Sequence, residues 1–196
     1  MRILLLGPDR GGLQRFMEEC GDTVVRTEEP ISAAQVQSEN IDQIVSYGYK
    51  HIVTPEVLKA VHGRAVNLHI SLLPWNRGCH PNVWSFLEDT PKGVTIHVMD
   101  EGVDTGDILV QQEVQLPTDA TLRTSYEILS LQIEALFKKS WHAVRAGDIR
   151  PQPQQGEGSF HKKEDLKAFE SLLTRGWDTP VSQLIGRGLP EKGAKV

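Results

Sequence analysis

Residues 67–78 read NLHISLLPWNRG, and they begin within a predicted strand at residues 65–70. Because side chains alternate along a strand, Asn67 and His69 project from the same face and their neighbours from the other. An asparagine amide can stabilise an oxyanion, and a histidine can donate or shuttle a proton near neutral pH. The pair therefore predicts either a catalytic site at a strand end or two polar side chains that satisfy the backbone of the following loop.

The elements before this stretch alternate between strands and helices. The apolar run Ile3–Leu6 stops at Gly7-Pro8, which is typical of a strand buried on both faces. It is followed by a predicted helix near residues 13–20, strands at 23–25 and 44–46 with a helix within 32–40 between them, and a helix that begins at residues 54–55. This order predicts an α/β fold with a mostly parallel central sheet and helices on both faces. In such sheets, ligands bind outside the carboxyl ends of the strands.

A second motif, MDEGVDTGDIL at residues 99–109, follows a predicted strand at residues 94–98. Gly102 and Gly106 allow a tight loop, and the carboxylate of Asp104 lies between them in the sequence. A carboxylate delivered beside an imidazole can organise proton transfer. The alternatives are a solvated acidic turn or a calcium loop, and the spacing does not match an EF-hand.

The rest of the chain predicts one long helix and a C-terminal extension. Apolar residues step by three or four from about Thr118 to Ala146, and Gly147 is placed to end that helix. From Arg150 the sequence becomes rich in Pro, Gln and Gly. We therefore predict a catalytic domain at residues 1–150 and an extension at residues 151–196, made of a connector and a short helix at residues 162–173.

The composition indicates an ordinary globular protein. The chain has 196 residues, of which 39% are hydrophobic and 24% charged, and its net charge is -5. These values do not favour a broad nucleic-acid surface. Cys20 and Cys79 form no CxxC pair, so neither a disulfide scaffold nor a zinc site is expected. No signal peptide or membrane span is expected either, which predicts a cytoplasmic protein without membrane contact.

Together, these motifs resemble those of the N10-formyltetrahydrofolate-dependent formyltransferases. The resemblance rests on the order and spacing of NLH, SLLP, RG, GVTIH and DEGVDTGD across roughly residues 1–150. It implies a Rossmann-like formyltransferase fold and formyl transfer from the folate to an amine without a metal. Asn67, His69 and Asp104 match the catalytic triad of that family. The resemblance implies that Asn67 and His69 stabilise an oxyanion, and that Asp104 stabilises the charged imidazole and helps to move a proton through water.

The resemblance also implies where N10-formyltetrahydrofolate binds. Two segments match those that line the pterin pocket, one after the third strand and one in the acidic loop. Their residues are Tyr49, Lys50, His51, Ile52, Val53, Asp100, Glu101, Gly102 and Val103. Ile52 and Val53 are also compatible with plain core positions, and a flat ring needs apolar walls in either case.

The acceptor amine is implied less directly. Within the family, LPWN-x-G followed by Pro-x-x-Trp-Ser resembles sugar N-formyltransferases, which act on nucleotide-linked 4-amino-4,6-dideoxy sugars, and the formylation domain of linear gramicidin synthetase. The sugar enzyme is favoured because the chain has no carrier or adenylation domain, which implies a role in lipopolysaccharide or other glycan biosynthesis. An aminoacyl-carrier conjugate, methionyl-tRNA and glycinamide ribonucleotide stay open as alternatives. The short extension disfavours the tRNA, and GPDRGG departs from the phosphate-binding first loop of the ribonucleotide enzymes.

The expected acceptor contacts are in the loop and helix after the Asn-x-His pair. They are Trp75, Asn76, Arg77, Pro81 and Asn82. His161 and its neighbouring lysines either meet a diphosphate or form a solvated basic turn. A small-molecule acceptor and a possible homodimer complete the expectations from sequence.

Overall fold

The computed structural model describes residues 1–189 and contains a six-stranded sheet with helices on both faces. Its strands are β1 (Arg2–Leu6), β2 (Thr23–Thr27), β3 (Gln43–Ser46), β4 (Ala65–His69), β5 (Arg77–Gly78), β6 (Gly93–Val98), β7 (Ile108–Glu113) and β8 (Phe160–His161). The α-helices are α1 (Leu13–Glu19), α2 (Ala33–Ser38), α3 (Pro55–Ala60), α4 (Pro81–Leu87) and α5 (Leu122–Ala146).

The large sheet has the strand order β2-β1-β3-β4-β6-β7. The first four strands run parallel, whereas β6 is antiparallel to both β4 and β7. The order reverses at β1, because β2 lies on one side of it and β3 on the other. The predicted mixed α/β fold with a mostly parallel sheet is confirmed.

Each face of the sheet has its own core because successive side chains alternate. Ile3 and Leu5 pack against α1 and α5 in one cluster, while Leu4 and Leu6 pack against α2 and α3 in another. All four side chains are at most 2% exposed. The continuous apolar run of β1 therefore reflects burial on both faces.

Two predicted elements differ from the structure. Helix α5 begins at Leu122 rather than Thr118, because the hydroxyl of Thr121 accepts a hydrogen bond from the backbone N–H of Thr124 and caps the helix there. The predicted tail helix at residues 162–173 is a 3₁₀ segment over Lys163–Leu172. The end of α5 is as predicted, with Gly147 in the left-handed conformation.

The C-terminal extension packs against the preceding part of the chain. β8 pairs in parallel with β5. Val181 and Leu184 share a third core with Trp84 of α4 and Leu122 of α5. The domain boundary at residue 150 stays a prediction. Within residues 1–189, no helix is long and apolar enough to cross a membrane.

Candidate active site

Strands β4 and β6 bring three polar side chains together. Asn67 and His69 are two residues apart on β4, and the antiparallel register places His97 of β6 directly opposite Asn67. Directly paired residues project from the same face of a sheet. The His69 and His97 rings are nearly perpendicular, with centroids 6.4 Å apart.

The acidic loop returns a carboxylate to these side chains. The loop is folded by Asp100, whose Oδ1 accepts hydrogen bonds from the Gly102 backbone N–H at 3.1 Å and the Thr105 hydroxyl at 2.6 Å. Asp104 has a left-handed backbone with φ of 56°, a conformation that non-glycine residues adopt mainly at tight turns and functional sites.

Asp104 lies at the centre of the cluster, with 11% of its side chain exposed. Its Oδ1 accepts a hydrogen bond from Asn67 Nδ2 at 3.0 Å and lies 3.3 Å from His97 Nε2. Its Oδ2 accepts one from the Gly78 backbone N–H at 2.9 Å and lies 3.6 Å from His69 Nδ1. The predicted triad is therefore brought together around one carboxylate.

Backbone carbonyls fix which ring nitrogens carry protons. His69 Nε2 donates to the Asn76 carbonyl at 3.0 Å, and His97 Nδ1 donates to the Val98 carbonyl at 2.8 Å. His97 Nε2 lies 3.2 Å from Asn67 Nδ2 and 3.3 Å from Asp104 Oδ1. For His69, the nitrogen left for a substrate is Nδ1, since its distance to Asp104 is too long for a good hydrogen bond.

These partners decide the protonation state of Asp104. Burial alone would raise the pKa of its carboxyl. The positive charges of His69 and His97, a hydrogen bond from His97 and the Gly78 N–H outweigh burial and hold that pKa well below its usual range. Asp104 is therefore a carboxylate at neutral pH.

The cluster opens into a cleft of about 990 Å³. All nine residues that were expected to bind the folate line it, namely Tyr49, Lys50, His51, Ile52, Val53, Asp100, Glu101, Gly102 and Val103. Ile52 is 74% exposed and Val103 41%, so two large apolar side chains face open space at the cleft walls. Val53 is 8% exposed, and it belongs to the core beneath the cleft as well as to the cleft lining.

The expected acceptor residues separate into two groups. Pro81 and Asn82 line the cleft, although the Asn82 amide is already bonded to the Leu122 carbonyl at 2.9 Å. Trp75, Asn76 and Arg77 are not brought to the cleft.

Asn76 and Arg77 face the C-terminal extension instead. The Asn76 side chain is fully buried, and Arg77 donates to the Glu157 carbonyl at 3.1 Å. His161 is not a solvated turn residue, because it stacks on Trp84 with ring centroids 3.7 Å apart and its Nε2 lies 3.0 Å from Glu88 Oε1.

Sequence reasoning missed His97 and part of the cleft lining. The role of His97 depends on β6 lying beside the strand that carries Asn67, which the sequence does not show. Arg10, Tyr126 and Trp177 also line the cleft. Arg10 follows β1, whose carboxyl end faces the site, whereas no short-range signal connects Trp177 with residues more than fifty positions away.

Comparison with known proteins agrees with this geometry. The family model for formyl transferases matches residues 14–137, which include Asn67, His69 and Asp104. The chain belongs to the formyl transferase family. The family predicted from the sequence motifs is thus confirmed.

Solved formyltransferases share the fold. The formyltransferase PseJ from Anoxybacillus kamchatkensis, in complex with UDP-4,6-dideoxy-4-formamido-L-AltNAc and tetrahydrofolate, is 49% identical, with a TM-score of 0.92 over 96% of this chain and 100% of that chain. A 4-N formyltransferase from Francisella tularensis is 24% identical, with a TM-score of 0.74 over 85% of this chain and 78% of that chain, which supports the fold alone.

Curated relatives include methionyl-tRNA formyltransferases. The enzyme from Clostridium botulinum is 36% identical over 64% of this chain and 41% of its own length. The enzyme from Clostridium beijerinckii is 35% identical over 76% of this chain and 48% of its own length. The chain thus spans about half the length of these formyltransferases.

Proposed function

We propose that this protein transfers a formyl group from N10-formyltetrahydrofolate to the amine of a nucleotide-linked 4-amino-4,6-dideoxy sugar. The observation that carries the proposal is the similarity to PseJ at 49% identity over the whole length of that chain. PseJ holds a UDP-linked 4-formamido sugar and tetrahydrofolate, which are the products such a reaction would leave.

The described residues fit the co-substrate. The exposed side chains of Ile52 and Val103 offer apolar walls for a flat ring, and the acidic loop offers polar backbone groups beside them. When bound there, N10-formyltetrahydrofolate supplies the electrophilic formyl carbon. No group of side chains within residues 1–189 has the composition of a metal site.

The triad then has distinct tasks at the reacting carbon. In the imidazolium form of His69, Nδ1, the ring nitrogen without a short partner, donates to the oxygen on which negative charge develops. Asn67 Nδ2 is the second donor. It already donates to Asp104 and lies close to His97 Nε2, so it must share one of its hydrogens with the developing oxyanion. Asp104 stabilises the imidazolium and helps to orient the water through which the proton that the attacking amine loses reaches N10, as the bond between N10 and the formyl carbon breaks.

The part of the cleft around Arg10 fits a nucleoside diphosphate. The Arg10 guanidinium donates to the Tyr126 hydroxyl and stands 5.5 Å from the Tyr47 ring centroid. Among the described residues, no carboxylate lies within ion-pair distance of Arg10. A cation that is held by aromatic rings and lacks a carboxylate suits a phosphate.

Tyr126, which bonds Arg10, also contacts an aromatic side chain that can stack on a base. Trp177 is 49% exposed and packs edge-on against Tyr126, with ring centroids 5.4 Å apart. One indole face therefore has room for a planar ring. A cation and an aromatic platform for the proposed acceptor thus line the same cleft as the triad.

The direct test is turnover with defined acceptors. With N10-formyltetrahydrofolate and a UDP-linked 4-amino-4,6-dideoxy sugar, we expect release of tetrahydrofolate and a formylated sugar nucleotide, followed by absorbance and mass spectrometry. Formylation of methionyl-tRNA without formylation of the sugar nucleotide would instead support the activity of the curated relatives and reject the proposal.

Replacing the histidine tests the mechanism separately. His69→Ala should lower kcat by about 10²–10³-fold, because an oxyanion donor is lost, while folate binding stays within about twofold. His62→Ala is the matched control, since His62 is exposed and outside the cleft. Equal kcat for both variants would remove His69 from the chemistry.

A further inference from the structure

The orientation of His69 depends on a single backbone carbonyl. His69 Nε2 donates to the carbonyl oxygen of Asn76 at 3.0 Å, and both groups are buried. This hydrogen bond keeps the proton on Nε2 and turns Nδ1 towards Asp104 and the cleft. Any rotation of the Asn76 peptide therefore moves the nitrogen that faces the reacting carbon.

Asn76 is itself held through every polar group of its side chain. Its Oδ1 accepts a hydrogen bond from the Thr90 hydroxyl at 2.8 Å, and its Nδ2 lies 3.4 Å from both Glu88 Oε2 and Ser159 Oγ. The residue is fully buried and has a left-handed backbone with φ of 58°. A non-glycine residue keeps that conformation only when its surroundings determine it.

One of these partners comes from the C-terminal extension and also bonds the Asn76 backbone. Ser159 Oγ accepts a hydrogen bond from the Asn76 backbone N–H at 2.9 Å, and the two residues are 83 positions apart. The backbone of Ser159 adds two more bonds, from its N–H to the Pro74 carbonyl at 3.1 Å and from the Arg77 N–H to its own carbonyl at 3.0 Å.

The segment around Ser159 fits tightly against the loop. Gly158 lies so close to Pro74 that a Cβ would stand 2.2 Å from the Pro74 carbonyl oxygen. On the other side, the Cys79 N–H donates to the His161 carbonyl at 2.8 Å. The His161 ring is fixed in turn by stacking on Trp84 and by Glu88. The segment is therefore attached to the loop on both sides of Asn76.

From these contacts we propose that Ser159 is a positioning residue for formyl transfer: it holds Asn76 so that the Asn76 carbonyl fixes the ring of His69. The inference uses the role of His69 in the proposed function but not the identity of the acceptor. It assigns to the extension a part in orienting the histidine, in addition to its part in the third core.

Kinetics and binding give the first readout. Ser159→Ala should lower kcat by between about 10- and 100-fold, as expected for a small displacement of a reacting group, with the acceptor KM and the folate Kd within about twofold. Ser159→Thr keeps a hydroxyl and should retain most of the activity. Ser182→Ala is the matched control, since Ser182 is an exposed serine of the same extension.

The second readout reports on the imidazole itself and needs no acceptor. In ¹⁵N NMR of the full chain, the His69 signals, assigned by their loss in His69→Gln, should show an Nε2–H that exchanges slowly. In Ser159→Ala that proton should exchange faster and the Nδ1–H form should gain population. A histidine spectrum unchanged from wild type would overturn the proposal, even if kcat fell.

A variant on the opposite side of Asn76 covers a failure of Ser159→Ala to fold. Thr90→Val removes the hydroxyl that donates to Asn76 Oδ1 and keeps nearly the same volume. It should change kcat and the His69 spectrum in the same directions. Wild-type kcat and spectrum in a folded Thr90→Val or Ser159→Ala protein would show that Asn76 needs no such support and would reject the inference. If wild type formylates no sugar, only the proposed acceptor fails, because the NMR readout is independent of it.

Discussion

Asp104 shows how one carboxylate organises several neutral and positive groups. Asn67, Gly78 and two histidines converge on its two oxygens. Each donor removes part of the cost of burying a charge, and the histidines add direct Coulomb attraction. The residue therefore stays ionised in a site that is mostly closed to water.

This environment predicts how stability depends on pH. Because the pKa of Asp104 is lowered in the folded protein, its ionised form contributes stability that is complete above the ordinary aspartate pKa of about 4 and is lost as the pH falls towards the folded value. An asparagine at this position does not titrate, so the stability of Asp104→Asn has no such pH-dependent contribution. We therefore expect the difference in thermal midpoint between wild type and Asp104→Asn to change little above about pH 5 and to shift against wild type below about pH 4. A difference that stays constant from pH 6 to pH 3 would contradict the assigned shift.

The same substitution, Asp104→Asn, should lower kcat by about 10²–10⁴-fold at neutral pH.

At the scale of single residues, the sequence predicted the three triad residues better than the residues that contact them. Asn67, His69 and Asp104 are in motifs whose order was enough to place them. His97 was missed because its meaning depends on which strand lies beside β4, which is a property of the sheet order. Asn76 was expected at the acceptor, but its side chain is used inside the protein, because the partners that hold it come from residues 88–90 and 159.

The acidic loop shows how a short element carries a reactive group. Between β6 and β7 the chain turns back so closely that a Cβ on Gly106 would stand 1.9 Å from the Val98 carbonyl oxygen. A glycine is needed there for space, whereas Asp100 closes the loop with its own carboxylate. The position of Asp104 depends on both features.

Gly106→Ala should therefore displace the loop. We expect a loss of about 1–3 kcal/mol in the free energy of unfolding from overpacking, together with weaker folate binding, measured by chemical denaturation and by ligand titration. Gly63→Ala is the control, because Gly63 has a positive φ of 75° but open space around its missing Cβ. It should cost about 1 kcal/mol and leave folate binding unchanged. Equal effects of the two substitutions on folate binding would show that the loop tolerates the added methyl group.

Helices were predicted well where local chemistry decides their ends. Gly147 ends α5 in the left-handed conformation, as its position suggested. The start of α5 was placed four residues too early. Thr121 caps the helix, and the extension holds the segment before it, with the Val181 N–H bonded to the Ala120 carbonyl and the Leu122 N–H to the Thr179 carbonyl. Contacts over such distances are invisible to a local pattern.

On the scale of the whole molecule, the C-terminal extension shares a hydrophobic core with helices α4 and α5. Leu184 is fully buried among residues of α4 and α5, together with Val181. A boundary at residue 150 follows the change in composition, but the apolar contacts cross it. The sequence predicted a short tail helix at residues 162–173, but no local pattern in that segment indicated which part of the chain it would pack against.

A substitution in this core tests the connection. Leu184→Ala should lower the free energy of unfolding by about 2–5 kcal/mol and shift a single cooperative transition of the whole chain. Leu131→Ala, at a position 66% exposed on α5, should change it by less than about 0.5 kcal/mol. Two separate transitions in Leu184→Ala, with the sheet unaffected, would indicate that the extension unfolds on its own.

The pairing of β8 with β5 has a consequence for the newly made chain. The ribosome adds residues 1–113, and with them all six strands of the large sheet, before it adds residues 158–161. If Ser159 orients His69 as proposed, a growing chain contains every strand of the sheet before it contains the segment that positions this histidine.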